Sequence, residues 1–363
     1  MAAADLQLPD LAELRAPRAY PAVTILTPTQ RHLPGNAEDP IRLRDLADEA
    51  TRRLEAELGA RGAGDVVRGI RDAVASVDWN HPADGLAVFV APGESRVLQL
   101  PFPVPARVAV DQRFLTRDLV RGIERSPRYR MLVLGEQPTR LFAGRGTALL
   151  EHTADGFPVA FDRVRGEPAG HQDFPQRNAV SEAEHKAFFR EVDQALKVVA
   201  DADPIPLVVT GAERDLAFFD EVTAHGSSII GRVHGNYEEA SPRELADLAV
   251  PLVDEHAAAQ RATTIAELAE AVGTGHALVG IKPAWSAARD GRAQVLFLED
   301  DYVYPAREVD GQLEPAGDAS VPDVIDDAAV ELIDIVLDKS GEVMIVDPGE
   351  LGEHGPVALL LRF

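Results

Sequence analysis

The chain has no cysteine, so disulfides, thiolate nucleophiles and cysteine-ligated zinc are excluded at once. It is poor in positive charge, with 36 Lys+Arg against 60 Asp+Glu and a net charge of -24, which on average argues against free-standing binding to nucleic acid, and no DNA partner is expected. No window approaches the roughly 20 apolar residues that a membrane-spanning helix needs. The opening residues, MAAADLQLPDLAELRAPRAY, mix acids with apolar residues and lack a basic start followed by an apolar run, so no secretory signal is expected. A cytoplasmic protein without membrane partners is the expectation. The Walker, G-x-S-x-G, G-x-G-x-x-G and H-E-x-x-H patterns are all missing, which removes the local signatures of P-loop, nucleophile-elbow, dinucleotide and zinc-hydrolase chemistry. No metal and no cofactor are expected.

What is present describes a globular chain, 45% hydrophobic and 26% charged over 363 residues, which is too long for one ordinary core. The charge is uneven. Residues 1–128 carry a net of -1, residues 129–249 a net of -8 and residues 250–363 a net of -15. Either the front meets a polyanion or acidic partner, or an acidic composition is simply spread unevenly.

The hydrophobic pattern reads as mixed α/β (α+β) in three domains, 1–127, 128–245 and 246–363. In the first, AVTILTP (22–28), GLAVFVA (85–91), 96–100 and 107–110 read as strands, and helices are expected from Asp39, as N-cap, and over 65–77. A helix over 112–125 closes this domain. It carries Arg113, Arg117, Arg121 and Arg125 at four-residue spacing, which puts them on one stripe. Such a row could follow RNA phosphates, since guanidinium binds them bidentately, or could pair with acids of the same chain. In the second domain, strands at 129–134, 139–143 and 148–152 lead to the polar segment 163–181, then to a helix (183–199), a strand (206–210), a helix (213–223) and a strand (228–232). In the third, helices are expected over 241–262, 264–272, 276–290 and 323–338, with strands at 293–298, 342–346 and 357–363. The acids of 323–338 (Asp323, Asp327, Glu331, Asp334 and Asp338) read as a solvated face. Glu299-Asp300-Asp301 follows a strand, where α/β sheets often place ligands, and reads alternatively as an exposed acidic turn.

The segment RVRGEPAGHQDFPQRNAVS (163–181) is a long polar loop, and such loops are usually functional or disordered. It holds Gly170, His171 and Gln172.

DPIRLRDL (39–46), DGLAVFVAPG (84–93), LPFPVP (100–105) and GEVMIVDPGELGEHGPVALLLRF (341–363) resemble the bacterial archaeo-eukaryotic release factor-like family, related to class-1 release factors and Pelota. The resemblance implies a divergent N-terminal α/β domain, an RNase H-like central domain and a C-terminal α/β domain of the kind shared with Pelota and kink-turn-binding proteins. In release factors the long central loop carries Gly-Gly-Gln, which helps water hydrolyse peptidyl-tRNA. Here Gly170-His171-Gln172 keeps the glutamine and replaces the middle glycine, so Gln172 is the one candidate catalytic residue. An Asn-Ile-Lys-Ser codon-reading motif is missing, and on the first central strand only Glu136 stands where an RNase H-like nuclease begins its metal ligands.

Three functions follow. The first is a non-enzymatic factor that binds the ribosome (rRNA, with tRNA as a further contact) in or near the A site, for rescue or hibernation without codon-specific termination. The second is a peptidyl-tRNA-hydrolysing factor that uses the 163–181 loop. The third is an interaction module that recruits a partner such as a translational GTPase through its acidic C-terminal domain.

Overall fold

Ala22–Pro28 is apolar at nearly every position, a pattern that fits a strand covered on both faces. In the computed structural model this run is an inner strand of an antiparallel sheet. The structure describes residues 6–363 except 17, 32–34, 81, 136–137, 162–173, 317–323 and 326, and no side chains over 174–181.

The front of the chain comprises α1 (Ala12–Arg15), β1 (Ala22–Pro28), α2 (Asp39–Gly62), α3 (Gly64–Ala75), β2 (Gly85–Ala91), β3 (Glu94–Leu100), β4 (Arg107–Asp111) and α4 (Arg117–Arg125), with sheet order β3-β2-β1-β4. Successive side chains of a strand point to opposite faces. Val23, Ile25, Leu86, Val88 and Val90 therefore meet Leu43, Ala50, Leu54 and Ile70 of α2 and α3. Ala22, Leu26, Ala87 and Phe89 face the other way. They join a core that also holds Leu119 and Ile123 of α4 and, from the far end of the chain, Trp285, Leu296 and Leu332. Asp39 is the first helical residue and not the N-cap. Its buried carboxylate accepts from the Gln30 amide (2.8 Å) and from Arg42 (2.9 Å).

The middle comprises β5 (Arg128–Val133), β6 (Arg140–Arg145), β7 (Ala148–His152), α5 (Phe174–Ala202), β8 (Leu207–Gly211), α6 (Glu213–Val222) and β9 (Ile229–His234). The sheet order is β7-β6-β5-β8-β9, antiparallel through the β5–β6–β7 meander and parallel across β5, β8 and β9. Leu132 and Leu134 pack with Phe189 and Leu196 of α5 and Phe219 of α6. Tyr129, Met131 and Val133, on the opposite face, pack with Leu245, Ala249 and Val253.

The last three belong to α7 (Pro242–Thr274), after which come β10 (Ala277–Val279), α8 (Ile281–Arg289), β11 (Ala293–Glu299), β12 (Ala306–Val309), β13 (Gln312–Pro315), α9 (Ala328–Asp338), β14 (Glu342–Val346) and β15 (Val357–Leu361). β10, β15, β11 and β14 form a sheet in that order, with β11 and β14 parallel, and β12 and β13 form a separate hairpin.

Several boundaries differ from the sequence reading. The helix expected over 112–125 starts at Arg117, because the Leu115 amide donates to Thr24 Oγ1 (2.9 Å) and holds the preceding residues against β1. The helices expected over 241–262 and 264–272 are one, α7, which contains Pro251 and whose Thr263 and Thr264 hydroxyls donate back to the Ala259 and Gln260 carbonyls (3.0 and 3.1 Å). Over 276–290, β10 pairs with β15, and Gly280 at φ 92° turns the chain before α8. The helix expected from Asp323 begins at Ala328, capped by the Asp327 carboxylate on the Ala329 amide (3.0 Å).

The chain divides into two compact units, 126–258 and 6–125 with 259–363. The unit boundaries fall between Arg125 and Ser126 and within α7.

Candidate functional site

The expected arginine row faces carboxylates and carbonyls of its own chain. Arg117, only 8% exposed, donates from Nη2 to the Glu299 carbonyl (2.8 Å) and from Nη1 to the Tyr302 carbonyl (2.7 Å) and Asp327 Oδ2 (3.2 Å). Arg121 pairs with Asp300 (2.5 Å) and Asp118 (3.3 Å), and Arg125 with Asp347 (2.5 Å). Arg113 precedes α4 and reaches Glu331 (3.6 Å) and Asp334 (3.8 Å). The pairing within one chain, one of the two readings left open, is what the geometry presents.

The row lies at the carboxyl ends of the parallel pair β11 and β14. The acidic turn 299–301, expected as a ligand position or an exposed loop, is partly taken up there. Glu299 accepts the Gly349 amide (2.8 Å), and Asp300 takes Arg121. The Arg125 hydrogen bond holds the Asp347 carboxyl below its ordinary range.

Of the acids expected as a solvated face, Asp323 lies outside the described residues, Asp338 is exposed, and Asp334 is buried. Asp327 caps the helix and binds Arg117, while Asp338 accepts from Arg15 (2.9 Å). Asp334 is 7% exposed and lies 3.4 Å from Arg15 Nε and 3.8 Å from Arg113 Nη1. Burial pushes its carboxyl up to about 7, because neither arginine comes close enough to form a hydrogen bond that would offset the lost hydration. Asp118, also buried, is raised for the same reason against the pull of Arg107 and Arg121. Sequence reading missed Arg15, Asp118 and the burial of Asp334, since charge patterning reports a face and not its cover.

A carboxyl whose pKa is raised by folding adds stability while it is protonated in both states and loses that contribution as pH rises from about 4 to about 7. Asp334→Asn keeps the shape and removes the titration. Urea unfolding should therefore show the wild type losing stability relative to the variant between pH 4 and 7, by a few kcal/mol at most, with a constant difference above pH 8. A flat difference across the range would show that Asp334 stays ionised when folded.

The other expected site, Gly170-His171-Gln172, lies outside the described residues. Its flanks are described. Phe161 stacks on the buried His185 of α5 (5.2 Å, 27°) and meets Phe188 edge-on (5.1 Å), while His185 also contacts Phe218 of α6 (5.8 Å). Phe161, just before the segment, thus joins one aromatic cluster with His185 and Phe188 of α5 and Phe218 of α6. On the same stem as Phe161, Val159 pairs with Thr139, whose hydroxyl donates to the Gly135 carbonyl (2.8 Å).

Near the carboxyl ends of β5, β8 and β9 is an open cavity of about 740 Å³, bordered by Asn236, Tyr237, Glu238, Glu239, Glu244 and Asp247. Its acids serve the local fold: Glu244 accepts from the Ser241 amide (2.9 Å) and hydroxyl (2.8 Å) at the start of α7, and Asp247 pairs with Arg243 (3.1 Å). The lining repels phosphate. No group of three or more His, Asp or Glu that could hold a metal ion occurs among the described residues. Nor, among them, is any helix long and apolar enough to cross a membrane.

Residues 128–292 match the model of bacterial archaeo-eukaryotic release factor family 3. No curated protein matches the chain. Among solved structures, an archaeal translation termination factor, aRF1, is similar at 16% identity and TM-score 0.24, over 98% of this chain and 96% of that one. Pelota of Archaeoglobus fulgidus is similar at 16% identity and TM-score 0.34, over 99% and 93%. Dom34 of S. cerevisiae, described as a translation termination-like factor that interacts with Hbs1, is similar at 12% identity and TM-score 0.41, over 74% and 72%.

Proposed function

We propose, from the match of residues 128–292 to the model of bacterial archaeo-eukaryotic release factor family 3, that the chain is a ribosome-associated factor of the release-factor kind, acting in rescue or hibernation without reading stop codons. The family match carries this reading. The match begins at the first residue of β5 and runs past α7, so it includes the whole middle sheet and the 162–173 segment between β7 and α5. The strand order β7-β6-β5-β8-β9, with an antiparallel meander beside a parallel pair, supports the RNase H-like assignment of that part. The missing Asn-Ile-Lys-Ser motif supports a role apart from codon recognition.

RNA contact falls to the middle unit and its loop in this reading. Arg117 is buried, and Arg113, Arg121 and Arg125 each face a carboxylate of the same chain at 3.6 Å or less, which competes with phosphate for them. Cytoplasmic location, rRNA and tRNA contacts, and a translational GTPase as protein partner belong to the same proposal.

Lysate sedimentation through a sucrose gradient provides the test. Full-length protein from growing and starved cells should migrate with ribosomes, and raising the salt should release it, as phosphate contacts require. Absence from ribosomal fractions in both conditions would sink the proposal. Gln172→Ala separates the two ribosomal readings: a contact role leaves peptidyl-tRNA intact with either protein, whereas a hydrolytic role gives release by wild type that falls by orders of magnitude in the variant.

A further inference from the structure

We infer that residues 6–125 and 259–363 open and close as one cooperative body, closed by an N-terminal strap and locked by the arginine row. The apolar evidence comes first. Segments joined by a mobile hinge normally meet through a modest, rather polar surface. Here Leu11, Leu26, Phe89 and Leu119 from the front and Ala284, Leu296, Leu332 and Leu359 from the rear are all 0% exposed and belong to one continuous core. One face of the front sheet is therefore completed by residues that lie more than 150 positions later in the chain.

The strap is the stretch Leu6–Arg15. Leu6, Leu11 and Leu14 are 2%, 0% and 1% exposed within that same core. Arg15, at its end, is 7% exposed and binds Asp338 (2.9 Å) beside Asp334 (3.4 Å), both on α9. A peripheral N-terminal segment would normally fray, but this one buries three leucines in the core shared by front and rear residues and aims a guanidinium at α9. Arg117 makes the equivalent connection from α4, to two carbonyls and one carboxylate.

The chemistry makes the body all-or-none. If the rear segment opened alone, Arg15 and Arg117 would have to regain hydration while Phe89 and Leu119 became exposed, so partial opening combines a polar and an apolar cost. The front sheet accordingly cannot complete its fold until residues 281–361 exist.

Native-state hydrogen exchange with mass-spectrometric readout on the full chain tests this. Two lesions are placed at opposite ends: Phe89→Ala in β2 and Leu332→Ala in α9. Each should lower protection in both β1/β2 and β11/β15 peptides by a common factor, roughly thirtyfold or more, because deleting a buried side chain of this size destabilises whatever opens with it. Protection in β5 and β8 should be unchanged. If Leu332→Ala fails to fold, the milder Ile333→Val should still give a severalfold loss shared by both sheets. The inference is overturned if a lesion in one segment leaves the other sheet's protection at the wild-type value.

Discussion

Arg117→Ala should lower the stability of the unit formed by residues 6–125 and 259–363 by about 3–5 kcal/mol, one of the largest single-side-chain effects in the chain. The size comes from what remains after truncation. The Glu299 and Tyr302 carbonyls and Asp327 Oδ2 lose their donor in a site where Arg117 itself is 8% exposed, and unsatisfied buried acceptors keep their full desolvation cost. Asp327 retains its other duty, accepting the Ala329 and Tyr304 amides at 3.0 and 3.1 Å, so α9 should persist while its anchor is lost. Lysine should rescue little, because a single ammonium cannot reach three acceptors along a guanidinium fork. Urea unfolding of wild type, Arg117→Ala and Arg117→Lys measures this. A loss below about 1 kcal/mol for Ala would place Arg117 among ordinary surface pairs. Asp347→Asn provides the contrast. Its pair with Arg125 is exposed, and the substitution should cost no more than about 1 kcal/mol.

Gly144→Ala should be worse, removing most folded protein. Gly144 lies opposite Leu149 in the β6/β7 pairing, and a Cβ there would come 1.9 Å from the Ala148 carbonyl oxygen and 2.8 Å from its carbon. Both atoms are backbone, so relief requires the hairpin to separate. The next turn residue is fixed from below: Tyr129, fully buried, donates its hydroxyl to the Gly146 carbonyl (2.9 Å), and burial raises that phenol's pKa above its ordinary value. A cost of about 4 kcal/mol or more is expected, the range in which single changes abolish folding. Soluble yield and far-ultraviolet circular dichroism report it, and wild-type yield with a wild-type melting temperature would refute the close approach. Because β7 leads into the 162–173 segment, partly folded variants should also lose any ribosomal activity that segment supplies.

Strands were the most legible elements. AVTILTP, GLAVFVA and AQVLFL each sit where their composition places them, because a strand buried on both faces reads as an apolar run whatever covers it. The family resemblance, stated on fragments from 39–46 to the last residues, agrees with the family match over 128–292. Helix starts were less legible. Asp39 and residues 112–116 have suitable local sequence, but the Gln30 amide, nine residues before Asp39, and Thr24 Oγ1, 91 residues before Leu115, claim the groups that local reading assigned to caps or helix. The β12/β13 hairpin, short and mostly exposed, carried no apolar signal to find.

The arginine row shows why the site was harder to read than the fold. Spacing alone put Arg117, Arg121 and Arg125 on one stripe, and helical geometry makes that inference local and safe. What the stripe meets is a separate matter. A phosphate and a carboxylate attract guanidinium by the same chemistry, so an arginine every fourth residue describes either an RNA contact or an internal clamp equally well. Likewise the acids of α9 have the pattern of a solvated face, yet Asp334 is 7% exposed. From its own order of residues, the chain determined its strands and its charge gradient, both of which depend on near neighbours or composition. Only tertiary structure decided which charges face water. That depends on contacts between residues 179 or more positions apart, such as Arg121 with Asp300 and Arg117 with Asp327, and no local pattern encodes the partner.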